Sequence, residues 1–109
     1  MDKKKILIVE DEEAMLDAVS DALINQEFTT LLAKDGEEGL AIALKEHPDL
    51  ILLDILMPKM DGMNMLQKLR LDEWGKTAPV IILTNVSPNT NSVINSVLQN
   101  KPAYYLVKS

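Results

Sequence analysis

Short, uninterrupted apolar runs recur along this chain and are separated by stretches with a different spacing of apolar residues. The runs cover residues 6–9, 28–33, 50–54, 80–84 and 104–107. Runs without polar alternation are typical of strands that are buried on both faces of a sheet. The pattern therefore predicts five buried strands.

Between the strands, apolar residues recur every three or four positions, which is the period of an amphipathic helix. The predicted helices cover residues 15–25, 39–46, 63–71 and 93–98. A turn at residues 34–36 precedes the second helix, and Pro48 stops it. The fourth helix is rich in asparagine, serine and threonine, which are poor helix formers, so we expect it to be the least stable.

Strands that alternate with helices predict an α/β fold. Each crossover between parallel strands is right-handed, and the helices cover both faces of an open parallel sheet, so the domain has three layers. We find no internal repeat, low-complexity segment or linker in the 109 residues, and we expect one domain over residues 1–109.

Composition narrows the possible functions. The formal net charge of −6 argues against non-specific binding to nucleic acid or to an anionic membrane. The absence of cysteine excludes disulfides and thiolate metal sites. The first apolar run, residues 6–9, is too short for a signal peptide, and no stretch reaches membrane-spanning length. We therefore expect a soluble cytoplasmic protein.

The predicted strands end on residues that carry chemistry. The first strand is followed by Glu10 and Asp11, the third ends on Asp54, the fourth on Thr84, and Lys108 follows the fifth. In a parallel sheet these ends lie on one edge, so the three carboxylates would repel one another unless they are neutralised. A hard divalent cation such as Mg²⁺ accepts oxygen ligands of this kind.

Metal, carboxylate, hydroxyl and ammonium together suit phosphoryl transfer onto an aspartate, here Asp54. Each residue alone has a simpler interpretation. Asp11 could cap the first helix, Asp54 could form a turn, Thr84 could be an ordinary strand residue, and Lys108 could be solvated. The hypothesis rests on the agreement of all four strand ends.

The chain resembles the receiver domain of two-component response regulators. The resemblance is carried by ILIVEDEE at 6–13, PDLILLDILMPKMDG at 48–62, VIILT at 80–84 and YYLVK at 104–108. These motifs occur in order and at the family's spacing over essentially the whole chain. The resemblance implies a flavodoxin-like, five-stranded sheet of order 2-1-3-4-5.

The resemblance also implies a function and a metal site. Asp54 would accept a phosphoryl group from a histidine kinase or a phosphotransfer protein. Glu10, Asp11 and Asp54, with the backbone carbonyl of Leu56, would hold Mg²⁺. The domain would catalyse only its own phosphorylation and dephosphorylation, so it would be a signalling phosphoacceptor and not an enzyme with turnover on a substrate.

The resemblance also implies roles for three further residues. Thr84 would move toward the phosphoryl group, and Lys108 would pair with it. Tyr105, three residues before the lysine, matches the aromatic residue that turns inward when the switch is on.

The sequence departs from the family at three places. Asn85 stands where a small residue is common. Ser109 stands where the family usually has a proline behind a cis bond, and a non-proline cis bond costs about 2.5–4 kcal/mol. The family's fifth helix is absent, which would leave an apolar patch on one sheet face and favour self-association. A C-terminal truncation relative to the family explains the missing helix equally well.

Three other functions are alternatives to a phosphoacceptor. An aspartyl phosphatase would need a second acid two residues after the nucleophile, where this chain has Leu56. A flavin-binding domain would need a phosphate-binding loop where the chain has the acids at 10–13, which repel phosphate. The remaining alternative is a degenerate receiver that acts as a non-phosphorylated interaction or dimerisation scaffold.

Overall fold

The structure, a computed structural model, describes residues 3–54, 62–84 and 104–107, with Leu83, Thr84 and the last four residues described by their backbone alone. In chain order the elements are β1 Lys5–Val9, α1 Glu13–Asn25, β2 Thr29–Ala33, α2 Gly36–Glu46, β3 Leu50–Asp54, α3 Gly62–Leu69, a 3₁₀ turn Gly75–Thr77, β4 Val80–Thr84 and β5 Tyr104–Val107. The fourth predicted helix lies outside the described residues. None of the described helices has the length and apolar character needed to cross a bilayer.

The five strands form one parallel sheet of order β2-β1-β3-β4-β5, which confirms the predicted fold class. The register sets Val9 beside Ala33 on one side and beside Leu53 on the other. Asp54 in turn lies beside Leu83 of β4. The carboxyl ends of the central strands are therefore level with one another.

Successive strand residues point to opposite faces of the sheet, so each apolar run supplies two cores. On one face, Leu7 and Leu53 pack with Met65 and Leu66 of α3 in the larger cluster. On the other face, Ile8 packs against α1 in a smaller cluster. This double cover explains why the strands lack polar alternation.

The face covered by α1 is less completely buried than the opposite face. Leu50 and Leu52 of β3 are only partly buried there, whereas Ile51 and Leu53 of the same strand are 0% exposed. Self-association through this apolar face stays a prediction. We expect the mass measured by light scattering to rise with protein concentration, because association would remove these side chains from water. A constant monomer mass would contradict it.

Helix α2 begins three residues earlier than predicted. Asp35, predicted to lie in a turn, is the N-cap of α2, and its side chain accepts a hydrogen bond from the Glu38 N–H at 2.8 Å. Aspartate serves turns and helix caps through the same side-chain acceptor, so its presence alone does not distinguish them. The helix ends at Glu46, and His47 follows in the left-handed conformation with φ 46°.

The loop between α3 and β4 is held by several specific contacts. Arg70 Nη1 donates hydrogen bonds to the carbonyls of Gly75 at 2.7 Å and Ala78 at 2.9 Å. Partial burial lowers the pKa of Arg70, because desolvation disfavours the charged form. Asp72 Oδ2 accepts hydrogen bonds from the N–H groups of Trp74 and Gly75 at 3.0 Å each. This loop lies at the amino-terminal edge of the sheet, opposite the acidic strand ends.

His47 is exposed at the end of α2, and Trp74 packs partly buried against the larger core. Their rings also stack on each other, with centroids 4.3 Å apart and planes 6° from parallel. The stack fastens the α3–β4 loop to the end of α2.

Candidate metal centre

The topology brings two acids together from separate parts of the chain. β1 ends at Val9, β3 ends at Asp54, and Val9 lies opposite Leu53. Glu10, the residue that follows β1, is therefore level with Asp54. Asp11 follows at the start of the connection to α1.

Three carboxylates converge at this point. One carboxylate oxygen from each of Glu10, Asp11 and Asp54 lies within 4.8 Å of the others. The side chains of Glu10 and Asp54 are deeply buried, with residue exposures of 2% and 5%, whereas Asp11 is exposed. Two buried acids beside a third form a concentrated negative charge with one side open to solvent.

Backbone hydrogen bonds fix the position of Glu10. Its N–H donates to the Ala33 carbonyl of β2 at 3.0 Å. Its side-chain Oε1 accepts a hydrogen bond from the Glu12 N–H at 3.3 Å. The acid is therefore tied to the sheet on one side and to the start of α1 on the other.

Asp11 is not the cap of α1, so the simpler interpretation of this residue is wrong. The N-cap is Glu12, which has an extended backbone conformation and makes no side-chain capping bond. Asp11 instead contributes its carboxylate to the acidic cluster. The positive end of the α1 dipole lies next to the cluster and favours its negative charge.

The cluster fits a hard divalent cation. All three donors are carboxylate oxygens, and Mg²⁺ prefers oxygen ligands while keeping several waters. The exposed side formed by Asp11 leaves room for such waters. Glu10, Asp11 and Asp54 are therefore the residues that would hold Mg²⁺.

The other predicted site residues are only partly described. Thr84 is the last residue of β4, so its backbone reaches the same sheet edge. Tyr105 lies in β5 opposite Ile82. Leu56 and Lys108 lie outside the described residues, as do Asn85 and Ser109. Their predicted roles stay predictions.

One group at the site was not predicted from the sequence, the backbone N–H of Glu12. No residue pattern identifies a backbone donor two positions after a buried acid, because every residue except proline carries an N–H.

Comparison with known proteins identifies the family. The profile of the response regulator receiver domain matches residues 6–109. The chain belongs to this family. The resemblance drawn from the four sequence motifs is therefore confirmed. Receiver domains are signalling domains of two-component systems, and they generally bind Mg²⁺ at an acidic cluster.

Two curated relatives are longer proteins in which one region is similar to this chain. The domain is 39% identical over 80% of its length to the "Probable transcriptional regulator ycf27" of Porphyridium aerugineum. It is 42% identical over 73% of its length to the "DNA-binding dual master transcriptional regulator RpaA" of Synechocystis. The matched regions span only 35% and 33% of these two proteins. The receiver domain thus corresponds to about a third of the relatives' length.

A solved structure supports the fold independently. The chemotaxis protein CheY4 of Vibrio cholerae superposes with a TM-score of 0.89 at 28% sequence identity. The superposition covers 98% of this receiver domain and 88% of that chain. The flavodoxin-like parallel sheet predicted from the sequence is therefore confirmed.

Proposed function

We propose that this receiver domain accepts a phosphoryl group on Asp54 from the phosphohistidine of a histidine kinase or phosphotransfer protein in the cytoplasm. The observation that supports this proposal most strongly is the position of Asp54. It is a buried carboxylate at the end of a central strand, within 4.8 Å of two further acids. Its chemistry and surroundings match those of a metal-assisted phosphoryl acceptor.

The proposed reaction is a displacement at phosphorus. A carboxylate oxygen of Asp54 forms a bond to phosphorus as the bond from phosphorus to the histidine nitrogen breaks, and the leaving imidazole takes up a proton. Mg²⁺, when bound, supplies positive charge that offsets the charge on the phosphoryl oxygens. Glu10 and Asp11 would hold the ion next to Asp54, and the burial of Asp54 would limit access of water to the acyl phosphate.

The switch residues act after transfer. We assign to Lys108 an ion pair with the phosphoryl oxygens and to the Thr84 hydroxyl a hydrogen bond to them. Tyr105 then turns inward and changes the surface that partners contact. A small local charge change of this kind alters a two-state surface when both states are close in free energy.

The scaffold alternative requires none of this chemistry. A domain that only holds partners together gains nothing from burying two acids beside a third, since burial of charge is costly. In a longer parent chain such as those of the relatives, phosphorylation would regulate an attached DNA-binding part. Residues 1–109 themselves are predicted not to bind nucleic acid.

Intact mass after incubation with acetyl phosphate tests the proposal. We expect the mass to rise by one phosphoryl group in the presence of Mg²⁺ and to stay unchanged in EDTA. The metal dependence follows because the acids around Asp54 repel the phosphate donor. No mass gain in a folded sample with Mg²⁺ would favour the scaffold alternative.

Asn85, directly after β4, is predicted to control the rate of the reaction. The Asn85→Ala variant replaces a polar side chain next to Thr84 with the small residue common in the family. We expect the rate of phosphorylation or dephosphorylation to change by several-fold, because the amide restricts access to Asp54 or contacts the phosphoryl group. Time courses of intact mass measure both rates, and equal rates in the two proteins would exclude this role.

A further inference from the structure

One hydrogen bond at the site is donated by a group that is neither a predicted metal ligand nor part of the sheet. It joins the Glu12 N–H to Glu10 Oε1 over 3.3 Å. Glu10 is 2% exposed, and a carboxylate buried to this extent needs hydrogen-bond donors or a cation. The Glu12 N–H is one such donor, fixed in place by the fold.

Glu12 is held by α1 itself. Its carbonyl accepts the first hydrogen bond of the helix, from the Leu16 N–H at 3.0 Å. Leu16 is buried in the core on that face of the sheet. The packing of α1 therefore fixes the position of the Glu12 N–H. The hydrogen bond from this N–H in turn orients the Glu10 side chain.

We propose that the backbone N–H of Glu12 is a positioning group for the metal centre. It holds one oxygen of the Glu10 carboxylate so that the other is presented toward Asp11 and Asp54. A ligand that is already oriented loses less conformational freedom when the ion binds. This inference rests on the proposed function only in so far as Mg²⁺ is the ion that the cluster binds.

The backbone of Glu12 permits a specific test. Its φ of −84° is close to the value that proline imposes, and its N–H makes no helical hydrogen bond. The Glu12→Pro variant therefore removes the donor and leaves the helix able to form. The matched control, Glu12→Ala, removes the same side-chain charge but keeps the N–H.

Mg²⁺ affinity is the readout, measured from backbone amide NMR signals during titration with MgCl₂ and without any phosphodonor. We expect Glu12→Pro to bind Mg²⁺ roughly three- to tenfold more weakly than Glu12→Ala, the range set by one hydrogen bond. In EDTA both variants should still melt cooperatively, which a general loss of structure would not allow. Glu12→Pro should melt at the lower temperature, because the buried Glu10 carboxylate has lost a donor. Equal affinities, or tighter binding by Glu12→Pro, would overturn the proposal.

Proline also restricts the residue before it, which is Asp11. An ester in place of the amide between residues 11 and 12 removes only the N–H and gives a second variant if Glu12→Pro does not fold. It should reproduce the loss of affinity, and unchanged affinity would overturn the proposal. Wild-type protein that binds Mg²⁺ but gains no phosphoryl group would contradict the proposed function and leave the role of Glu12 measurable.

Discussion

Asp54→Asn is expected to abolish the gain of a phosphoryl group from acetyl phosphate while raising the melting temperature of the metal-free protein. The amide has nearly the same shape as the carboxylate but is a poor nucleophile, so no acyl phosphate forms. It also removes one of three negative charges within 4.8 Å. One substitution thus removes the function, through the lost nucleophile, and raises the stability, through the lost charge.

The size of the stability gain follows from the charge separation. Two unit charges at about this distance repel by roughly 3.5 kcal/mol at an effective dielectric constant of about 20. Because Asp11 is exposed, solvent screening weakens its repulsion of Asp54. We therefore expect a net stabilisation of about 1–3 kcal/mol in EDTA, measured by thermal or urea unfolding.

The control for Asp54→Asn is Asp17→Asn, the same chemical change at an exposed position of α1. It should accept the phosphoryl group like the wild type and change stability by less than about 0.5 kcal/mol. Added Mg²⁺ should raise the melting temperature of the wild type more than that of Asp54→Asn, because binding to the folded state stabilises it. An unchanged or lower melting temperature of Asp54→Asn in EDTA would refute the repulsion argument.

The strands and the acids at their ends were predictable because both follow from burial. A strand such as Leu50–Asp54 has neighbours on both sides and helices on both faces, so its sequence becomes a continuous apolar run. The first polar residue after such a run marks the sheet edge. This relation placed Glu10 and Asp54 together without knowledge of the register.

Contacts that depend on the backbone or on distant parts of the chain were not predictable. Asp35 and Asp11 are both aspartates before a helical stretch, yet Asp35 caps its helix and Asp11 does not. Which residue becomes the cap depends on the local φ and ψ. The stack of His47 on Trp74 joins residues that are remote in sequence, and no local pattern encodes it.

Gly75→Ala is expected to cost stability at the far edge of the sheet and to leave the chemistry at Asp54 intact. A Cβ at this position would lie 2.0 Å from the carbonyl oxygen of Leu69, a backbone atom that cannot move without displacing the end of α3. Among the described glycines none has a positive φ, so Gly75 is required for space and not for a left-handed backbone. Replacing glycine by alanine ordinarily stabilises a protein by about 0.4–1 kcal/mol, because it lowers the conformational entropy of the unfolded chain. Here the clash outweighs that gain.

We expect Gly75→Ala to lower the free energy of unfolding by about 3 kcal/mol, or the melting temperature by roughly 10–20 °C. The displaced turn also weakens the hydrogen bonds that Arg70 and Asp72 make to Gly75. Lys76→Ala, in the same turn, loses only an exposed ion pair with Glu73 and should change stability by less than about 0.5 kcal/mol.

Because the two edges of the sheet are far apart, the effect of Gly75→Ala on stability can be tested separately from its effect on phosphorylation. The α3–β4 loop lies at the amino-terminal edge, about one strand length, or roughly 16 Å, from the acids at the carboxyl edge. Well below its melting temperature, Gly75→Ala should therefore gain a phosphoryl group at the wild-type rate. A melting temperature equal to the wild type would show that the turn relaxes around the new Cβ. A stable variant with slow phosphorylation would show that strain in this loop is transmitted through β4 to the site.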